Sequence, residues 1–257
     1  DQAALLVAIA DGMGGVAGGA EASRTALRAL GAQLLDGSKQ PDAHQRMLDG
    51  FQSANARVLE SADAVHALQD MGTTLTALWL DASGAVVGHI GDSRLYLVRD
   101  DGCQALTVDH SVNQGESLLT RCIGGGQRDC VADSERFRVG SGDRYVLCTD
   151  GVWNVVEPED FAKIVATQKA QEAAEMLVKR ALDEGGPDNA TVLVVDVIDA
   201  NLGGGDSVAG DRHDESSGSV DAVPQNMGET VEVELPRHER PDARSLWPNP
   251  ASLRPSV

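Results

Sequence analysis

Asp11, Asp92, Asp150 and Asp188 share one setting: each lies where an apolar run meets a turn built from small or polar residues. Asp11-Gly12-Met13-Gly14-Gly15 follows Leu5-Leu6-Val7-Ala8-Ile9-Ala10. Asp150-Gly151 follows Tyr145-Val146-Leu147-Cys148-Thr149, and Asp188-Asn189 precedes Thr191-Val192-Leu193-Val194-Val195. A carboxylate at the end of a buried strand is costly unless solvent, a hydrogen-bond donor or a cation compensates it. Carboxylates are hard oxygen ligands suited to Mg²⁺ or Mn²⁺. The small neighbours let backbone and water come close, and Gly12 offers its carbonyl as a further ligand. Two divalent ions bridged by one carboxylate lower the pKa of a shared water and neutralise a phosphoryl oxygen. The plain alternative is that Asp-Gly is a common turn dipeptide. No Ser-His-Asp or Cys-His arrangement competes, and Cys148-Thr149-Asp150 has no adjacent base.

These carboxylates need a scaffold, and the chain is long enough for one large domain or two small ones. It has 257 residues, 42% of them hydrophobic and only 3% aromatic, so Leu, Val, Ile and Ala must fill the core. The net charge of -19 argues against a nucleic-acid or anionic-membrane partner, because phosphate binding needs a basic surface. Cys103, Cys122, Cys130 and Cys148 lack CxxC spacing, which speaks against a zinc site. Disulfides are not expected, and Cys148 reads as a small core hydrophobe. No stretch has the length of a transmembrane helix, and no secretory signal opens the chain. The expectation is a cytoplasmic monomer; a first residue of Asp1 rather than Met leaves an upstream segment to be expected.

Periodicity supplies the elements. Ala22, Ala26, Leu27, Leu30 and Leu34 have helical spacing, with a stop at Asp36-Gly37. Met47, Phe51, Ala54 and Val58 mark a second helix that opens at Pro41-Asp42. Strands are predicted at Leu75 to Leu80, Val86 to Ile90, Leu95 to Val98, Arg144 to Cys148 and Thr191 to Val197. The links at Asp81-Ala82-Ser83-Gly84, Gly91-Asp92-Ser93 and Asp100-Asp101-Gly102 are short and favour antiparallel neighbours. Two more helices span Pro158 to Thr167 (Phe161, Ile164 and Val165 inward) and Ala170 to Leu182 (Ala173, Met176, Leu177 and Ala181 inward). Helix pairs between strand meanders predict antiparallel sheets covered by helices. Residues 1–199 form this domain. Residues 200–257, with their Gly, Ser and Pro, are expected to be a disordered tail. Within that tail, Thr230 to Leu235 alternates like a strand.

Asp11-Gly12-Met13-Gly14-Gly15, Gly72-Thr73-Thr74, Gly91-Asp92-Ser93-Arg94, Asp109-His110-Ser111, Cys148-Thr149-Asp150-Gly151 and Gly186-Pro187-Asp188-Asn189-Ala190-Thr191 occur in one order. In that order the chain resembles the PP2C-type (PPM) family of metal-dependent serine/threonine phosphatases, in its bacterial form. The resemblance covers about residues 3–198. It implies an α+β fold: an αββα sandwich of two antiparallel sheets flanked by helix pairs. It also implies a binuclear Mn²⁺ or Mg²⁺ centre in which Asp11 bridges both metals, Gly12 gives its carbonyl, and Asp150 and Asp188 complete the first metal's shell. Asp92 would hold a third, weaker metal with Asp150. Asp11, Asp150 and Asp188 would thereby hold a metal-activated water that attacks phosphorus without a phosphoenzyme. The implied substrate is a phosphoprotein, its phosphoserine or phosphothreonine placed by a partner Ser/Thr kinase.

Three departures accompany the resemblance. The family's first motif, an Arg followed by a Glu-Asp pair, has no counterpart in the ten residues before Asp11, and that short run predicts a sheet lacking one edge strand. Val16 stands where bacterial members often carry His. The stretch between Asp109-His110-Ser111 and Leu119-Thr120-Arg121-Cys122-Ile123-Gly124 is shorter than the family's flap. Two alternatives follow: a pseudophosphatase acting as a regulatory module on the same fold, and a phosphatase for small molecules. Bland readings apply to several neighbours. Thr73 and Thr74 begin a core strand with hydroxyls free to bond backbone or a metal-bound water. His89 is a satisfied core residue, and His110 serves loop structure. Arg94 anchors its loop through Asp92, Trp153 packs under the following helix, and Glu21 serves a helix terminus.

Overall fold

The computed structural model describes residues 4–35, 42–99, 102–113 and 117–200. The expected helix stop at Asp36-Gly37, the residue Pro41, the Asp100-Asp101 turn, the 201–257 part of the tail and its Thr230 to Leu235 run lie outside the described residues. In chain order the strands are β1 (Leu5–Ile9), β2 (Gly12–Met13), β3 (Gly72–Thr73), β4 (Leu75–Asp81), β5 (Gly84–Ile90), β6 (Arg94–Arg99), β7 (Gly102–Ala105), β8 (Ser111–Asn113), β9 (Ser117–Leu119), β10 (Ile123–Gly124), β11 (Asp133–Phe137), β12 (Arg144–Cys148) and β13 (Val192–Asp196). The helices are α1 (Gly15–Leu35), α2 (Ala43–Ala64), α3 (Asp150–Trp153), α4 (Pro158–Thr167) and α5 (Ala170–Asp183).

Two four-stranded antiparallel sheets, in the orders β1-β4-β5-β11 and β13-β12-β6-β7, form the body of an αββα sandwich. Strand alternation divides the core into three layers. On β4, Leu75, Ala77 and Trp79 face α1 and α2, where Leu30, Met47, Phe51 and Val58 are fully buried. On β12, Val146 and Cys148 face α4 and α5, packing with Phe161, Val165 and Leu177. The opposite faces meet at the seam between the sheets, through Ile9, Leu78, Val87, Leu95, Leu97, Tyr145 and Leu147. Each fully buried aliphatic or aromatic side chain contributes roughly 1.5–3 kcal/mol, so both helix layers are integral to the fold.

Local signals explain the element ends. Asp42 accepts a hydrogen bond from the His44 N–H (2.9 Å) and caps α2. Pro158 opens α4 at its first position. Asp81 closes the β4–β5 hairpin by accepting from the Ser83 N–H (2.7 Å). One predicted inward residue is wrong: Met176 is 42% exposed, while Val178 is buried beside Ala173, Leu177 and Ala181. On α5 the buried stripe leans toward Val178, the side that completes the layer under β13. All four cysteines are free thiols. Among the described residues no helix is long and apolar enough to cross a membrane.

His89, predicted as a core residue, is buried on β5. Its Nε2 lies 3.1 Å from the Val108 carbonyl, and its Nδ1 lies 2.9 Å from Thr76 Oγ1. The Val108 carbonyl can only accept, so Nε2 of the neutral ring carries the proton; the single Thr76 hydroxyl hydrogen is shared between two acceptors, His89 Nδ1 and the Ser93 carbonyl (2.9 Å). Burial and the neighbouring His110 push its pKa down to about 3. His110 is shifted in the same direction, chiefly by burial, with Asp133 opposing and Arg121 assisting. A folded pKa below the unfolded value means that the unfolded chain takes up the proton first. Stability is therefore complete above about pH 6.5 and falls by up to about 1.4 kcal/mol per pH unit as pH drops toward the folded pKa. Chemical denaturation at stepped pH should show this loss beginning near pH 6, above the carboxylate range. His89→Asn should flatten the slope; an equally steep profile in that variant would remove His89 as its source.

Candidate metal centre

Topology brings the four aspartates to one end of the sandwich. In the first sheet β1 and β5 both run antiparallel to β4, so Asp11, beyond β1, and Asp92, beyond β5, emerge at the same end. In the second sheet β6 and β13 both run antiparallel to β12. The start of β6 after Asp92, the end of β12 before Asp150, and the start of β13 after Asp188 therefore coincide. Residues far apart in sequence converge because each occupies a strand junction at that end.

Each turn is held by its backbone. The Asp11 N–H donates to Thr74 Oγ1 (2.9 Å), and the Asp11 carbonyl accepts from Thr73 Oγ1 and the Thr74 N–H (both 2.8 Å). Thr74 Oγ1 also shares a 2.8 Å hydrogen bond with Ser93 Oγ, beside Asp92. The expected role of Thr73 and Thr74 in binding backbone is thus present. Thr149 clasps the other two turns: its Oγ1 accepts from the Thr191 N–H (3.1 Å) and donates to the Asn189 carbonyl (3.3 Å). The Asp188 carboxylate accepts from the Asn189 N–H (2.9 Å). Gly12 lies against Gly19 of α1, where a Cβ on Gly19 would fall 2.6 Å from the Gly12 oxygen. Only glycine at both positions permits this approach.

The carboxyls interact directly. Asp11 retains some exposed surface, but its carboxyl is desolvated, and its pKa is raised well above the usual carboxylate range. Burial is the largest cause, followed by the charges of Asp150 and Asp188, a side-chain hydrogen bond with Asp150, and the charge of Asp92. Asp92 and Asp150 are themselves buried. Like charges this close disfavour ionisation of the Asp11 carboxyl until a cation compensates them. Among the described residues no three His, Cys, Asp or Glu side chains are preshaped around one point. The site is a cluster of hard oxygen donors in mutual repulsion, and such a donor set fits a divalent ion of the Mg²⁺ or Mn²⁺ class.

The surrounding side chains differ in part from expectation. The bidentate partner of Arg94 is Asp109 (Nε to Oδ1 2.9 Å, Nη2 to Oδ2 2.7 Å), and its link to Asp92 runs through Trp153. The guanidinium stacks 3.5 Å from the Trp153 ring centroid, and the indole N–H donates to the Asp92 carbonyl (3.0 Å). Sequence order gives no sign of this pairing, because Arg94 and Asp109 meet only once β6 and β7 have paired. His110 has the structural role expected of it. Its Nδ1 accepts from the Gly91 N–H (3.2 Å), its own N–H donates to the Gly91 carbonyl (2.7 Å), and its Nε2 lies 3.0 Å from Asp133. Glu21 pairs with Arg24 on the surface of α1. The short interval after Ser111 forms the β8–β9 pair. Sequence reasoning gave no role to Thr149 or Asp109; the sole signal was their place within recurring short motifs.

The family profile described as Protein phosphatase 2C matches residues 1–184. Serine/threonine protein phosphatase PstP of Mycobacterium tuberculosis is 34% identical over 217 residues, which cover 78% of this chain and 42% of that protein. The chain thus spans less than half the length of that relative. Serine/threonine phosphatase stp of Listeria innocua is 30% identical over 212 residues, covering 74% of this chain and 84% of the relative. Among solved structures, the catalytic domain of PstP in complex with two manganese ions superposes with a TM-score of 0.65 at 32% identity. That match covers 77% of this chain and 91% of the solved one.

Proposed function

The chain belongs to the protein phosphatase 2C family, and on that premise we propose that it is a metal-dependent phosphatase that hydrolyses phosphoserine and phosphothreonine in proteins. The observation that carries the reading is the convergence of Asp11, Asp92, Asp150 and Asp188 at one end of the sandwich, where burial and the charges of the other three raise the pKa of the Asp11 carboxyl. Asp11, Asp150 and Asp188, with the Gly12 carbonyl, would hold two Mn²⁺ or Mg²⁺ ions, and Asp92 with Asp150 would hold a third, weaker one. Bound there, such ions supply Lewis-acid chemistry, lowering the pKa of a water and neutralising phosphoryl oxygens.

The protein's own groups do the positioning. Thr73 and Thr74 fix the Asp11 backbone, so its carboxylate is aimed without reorganisation. Thr149 holds the Asp150 and Asp188 turns at fixed separation. Arg94 is engaged by Asp109 and stacked on Trp153, which supports a structural role for it rather than recognition of substrate phosphate. The named phosphatases among the relatives weigh for an enzyme over a regulatory module. We extend the proposal to a cytoplasmic setting and to substrates made by a Ser/Thr kinase. The domain is taken as residues 1–199, with 200–257 as an appended tail.

The test is hydrolysis of a phosphothreonine peptide by the purified chain, followed by released phosphate. Activity should require added Mn²⁺, stop with EDTA, and return when Mn²⁺ is restored. Turnover that persists in EDTA would exclude the two-metal reading. A calorimetric titration showing no Mn²⁺ binding would favour the regulatory module.

A further inference from the structure

We propose that Trp153 is a positioning residue for the metal centre: its indole N–H ties the Asp92 turn to the helix that begins at Asp150, and so sets how tightly the Asp92–Asp150 corner holds a divalent cation. The inference rests on the reading of the aspartate cluster as a cation site. Trp153 ends α3, whose first residue is Asp150, so its ring and that carboxylate move as one unit. The indole donates to the Asp92 carbonyl (3.0 Å), the only backbone acceptor adjoining the Asp92 side chain on its C-terminal side. Two supports fix the ring. Arg94 stacks 3.5 Å from its centroid, and Asp109 grips that guanidinium through both carboxylate oxygens. The next residue, His110, pins the other side of the same turn by bonding both the N–H and the carbonyl of Gly91.

The Asp109-His110 dipeptide therefore clamps the Gly91-Asp92 turn from two directions, once directly and once through Arg94 and Trp153. A carboxylate that must stay beside two like charges is displaced easily unless its backbone is anchored, and this is the anchor. Groups that orient metal ligands without touching the metal change affinity or activity by about 10- to 100-fold when removed. The indole N–H is the one element of the clamp that can be deleted while its ring is replaced by another aromatic.

Trp153→Phe keeps an aromatic face for Arg94 and deletes the donor. Its melting temperature should stay near that of the wild type. The Mn²⁺ concentration for half-maximal hydrolysis should rise by roughly tenfold, while turnover at saturating Mn²⁺ changes little. A second readout does not depend on activity. In the wild-type chain the Trp153 indole N–H resonance, assigned by its loss in Trp153→Phe, should shift as diamagnetic Mg²⁺ is added. The Trp79 indole, bonded to Asp81 at the other end of β4, should not. The Trp153 response should disappear in Asp92→Asn while calorimetry still detects Mg²⁺ binding at the remaining carboxylates. An unmoved Trp153 resonance in a chain that binds Mg²⁺, or an unchanged Mn²⁺ requirement in Trp153→Phe, overturns the positioning role alone. A wild-type chain that binds no divalent ion overturns the cation-site reading and this inference together.

Discussion

Asp150→Asn lowers Mn²⁺-dependent phosphopeptide hydrolysis by roughly 10²- to 10⁴-fold, and the same substitution stabilises the metal-free protein. The two effects have one cause. Asp150 is buried, and its charge raises the pKa of Asp11. With a divalent ion present, removing that charge breaks a buried pairing, which costs about 3–5 kcal/mol. At about 1.4 kcal/mol per tenfold, the cost becomes the stated loss of activity. Without the ion, the same charge opposes ionisation of Asp11 in a desolvated site, so an amide of equal size relieves repulsion. The melting temperature in EDTA should then rise by about 2–4 °C for each kcal/mol relieved. Phosphate release and thermal melting, each with Mn²⁺ and with EDTA, check both halves. Activity near the wild-type level would show that Asp150 is no ligand. Joint loss of activity and metal-free stability would make it a purely structural residue.

Gly151→Ala is the second large effect, and it acts through geometry with the charges untouched. A Cβ at position 151 would stand 2.2 Å from the Asn189 carbonyl oxygen, 2.8 Å from its carbon and 3.2 Å from the Asp188 oxygen. Every one of these atoms is backbone, so no side-chain rotation relieves the clash. The Asp150 and Asp188 turns must separate, against the Thr149 hydroxyl that clasps them. Overpacking of this kind destabilises by about 1–3 kcal/mol. A displacement of ~1 Å at a reacting centre costs on the order of 10²-fold in rate. Denaturant unfolding and a Mn²⁺ titration of activity measure the two components. A variant with wild-type unfolding and wild-type Mn²⁺ dependence would show that the two turns need not touch.

The helices and the longer strands were legible because their signals are local. The spacing of Met47, Phe51, Ala54 and Val58 buries one face of α2, and the alternation from Leu75 to Leu80 divides β4 between two core layers. Met176 was misjudged because an apolar residue on the flank of a helical stripe is buried only if the neighbouring element reaches it, and periodicity holds no information on that reach. The short strands β2 and β10 carry no such signal, and Thr73, read as the start of a core strand, lies in the separate strand β3, for a related reason. Two residues are too few for a periodic signal, and these exist only because Gly12, Gly72, Thr73 and Ile123 are brought side by side.

By itself the sequence determined that Asp11, Asp92, Asp150 and Asp188 stand at strand junctions, since an apolar run followed by a small-residue turn is a local property. It also determined the donor chemistry, since four carboxylates beside glycine or asparagine are hard ligands whatever surrounds them. The tertiary structure decided that these groups share one end of the sandwich, where burial and the charges of Asp150, Asp188 and Asp92 raise the pKa of Asp11. It alone decided that Arg94 grips Asp109, that Trp153 reaches the Asp92 carbonyl and that Thr149 joins two turns. Those partners are separated by 15, 61 and 42 positions in the chain. Contacts at such separations follow from strand order and register, which side-chain periodicity does not encode.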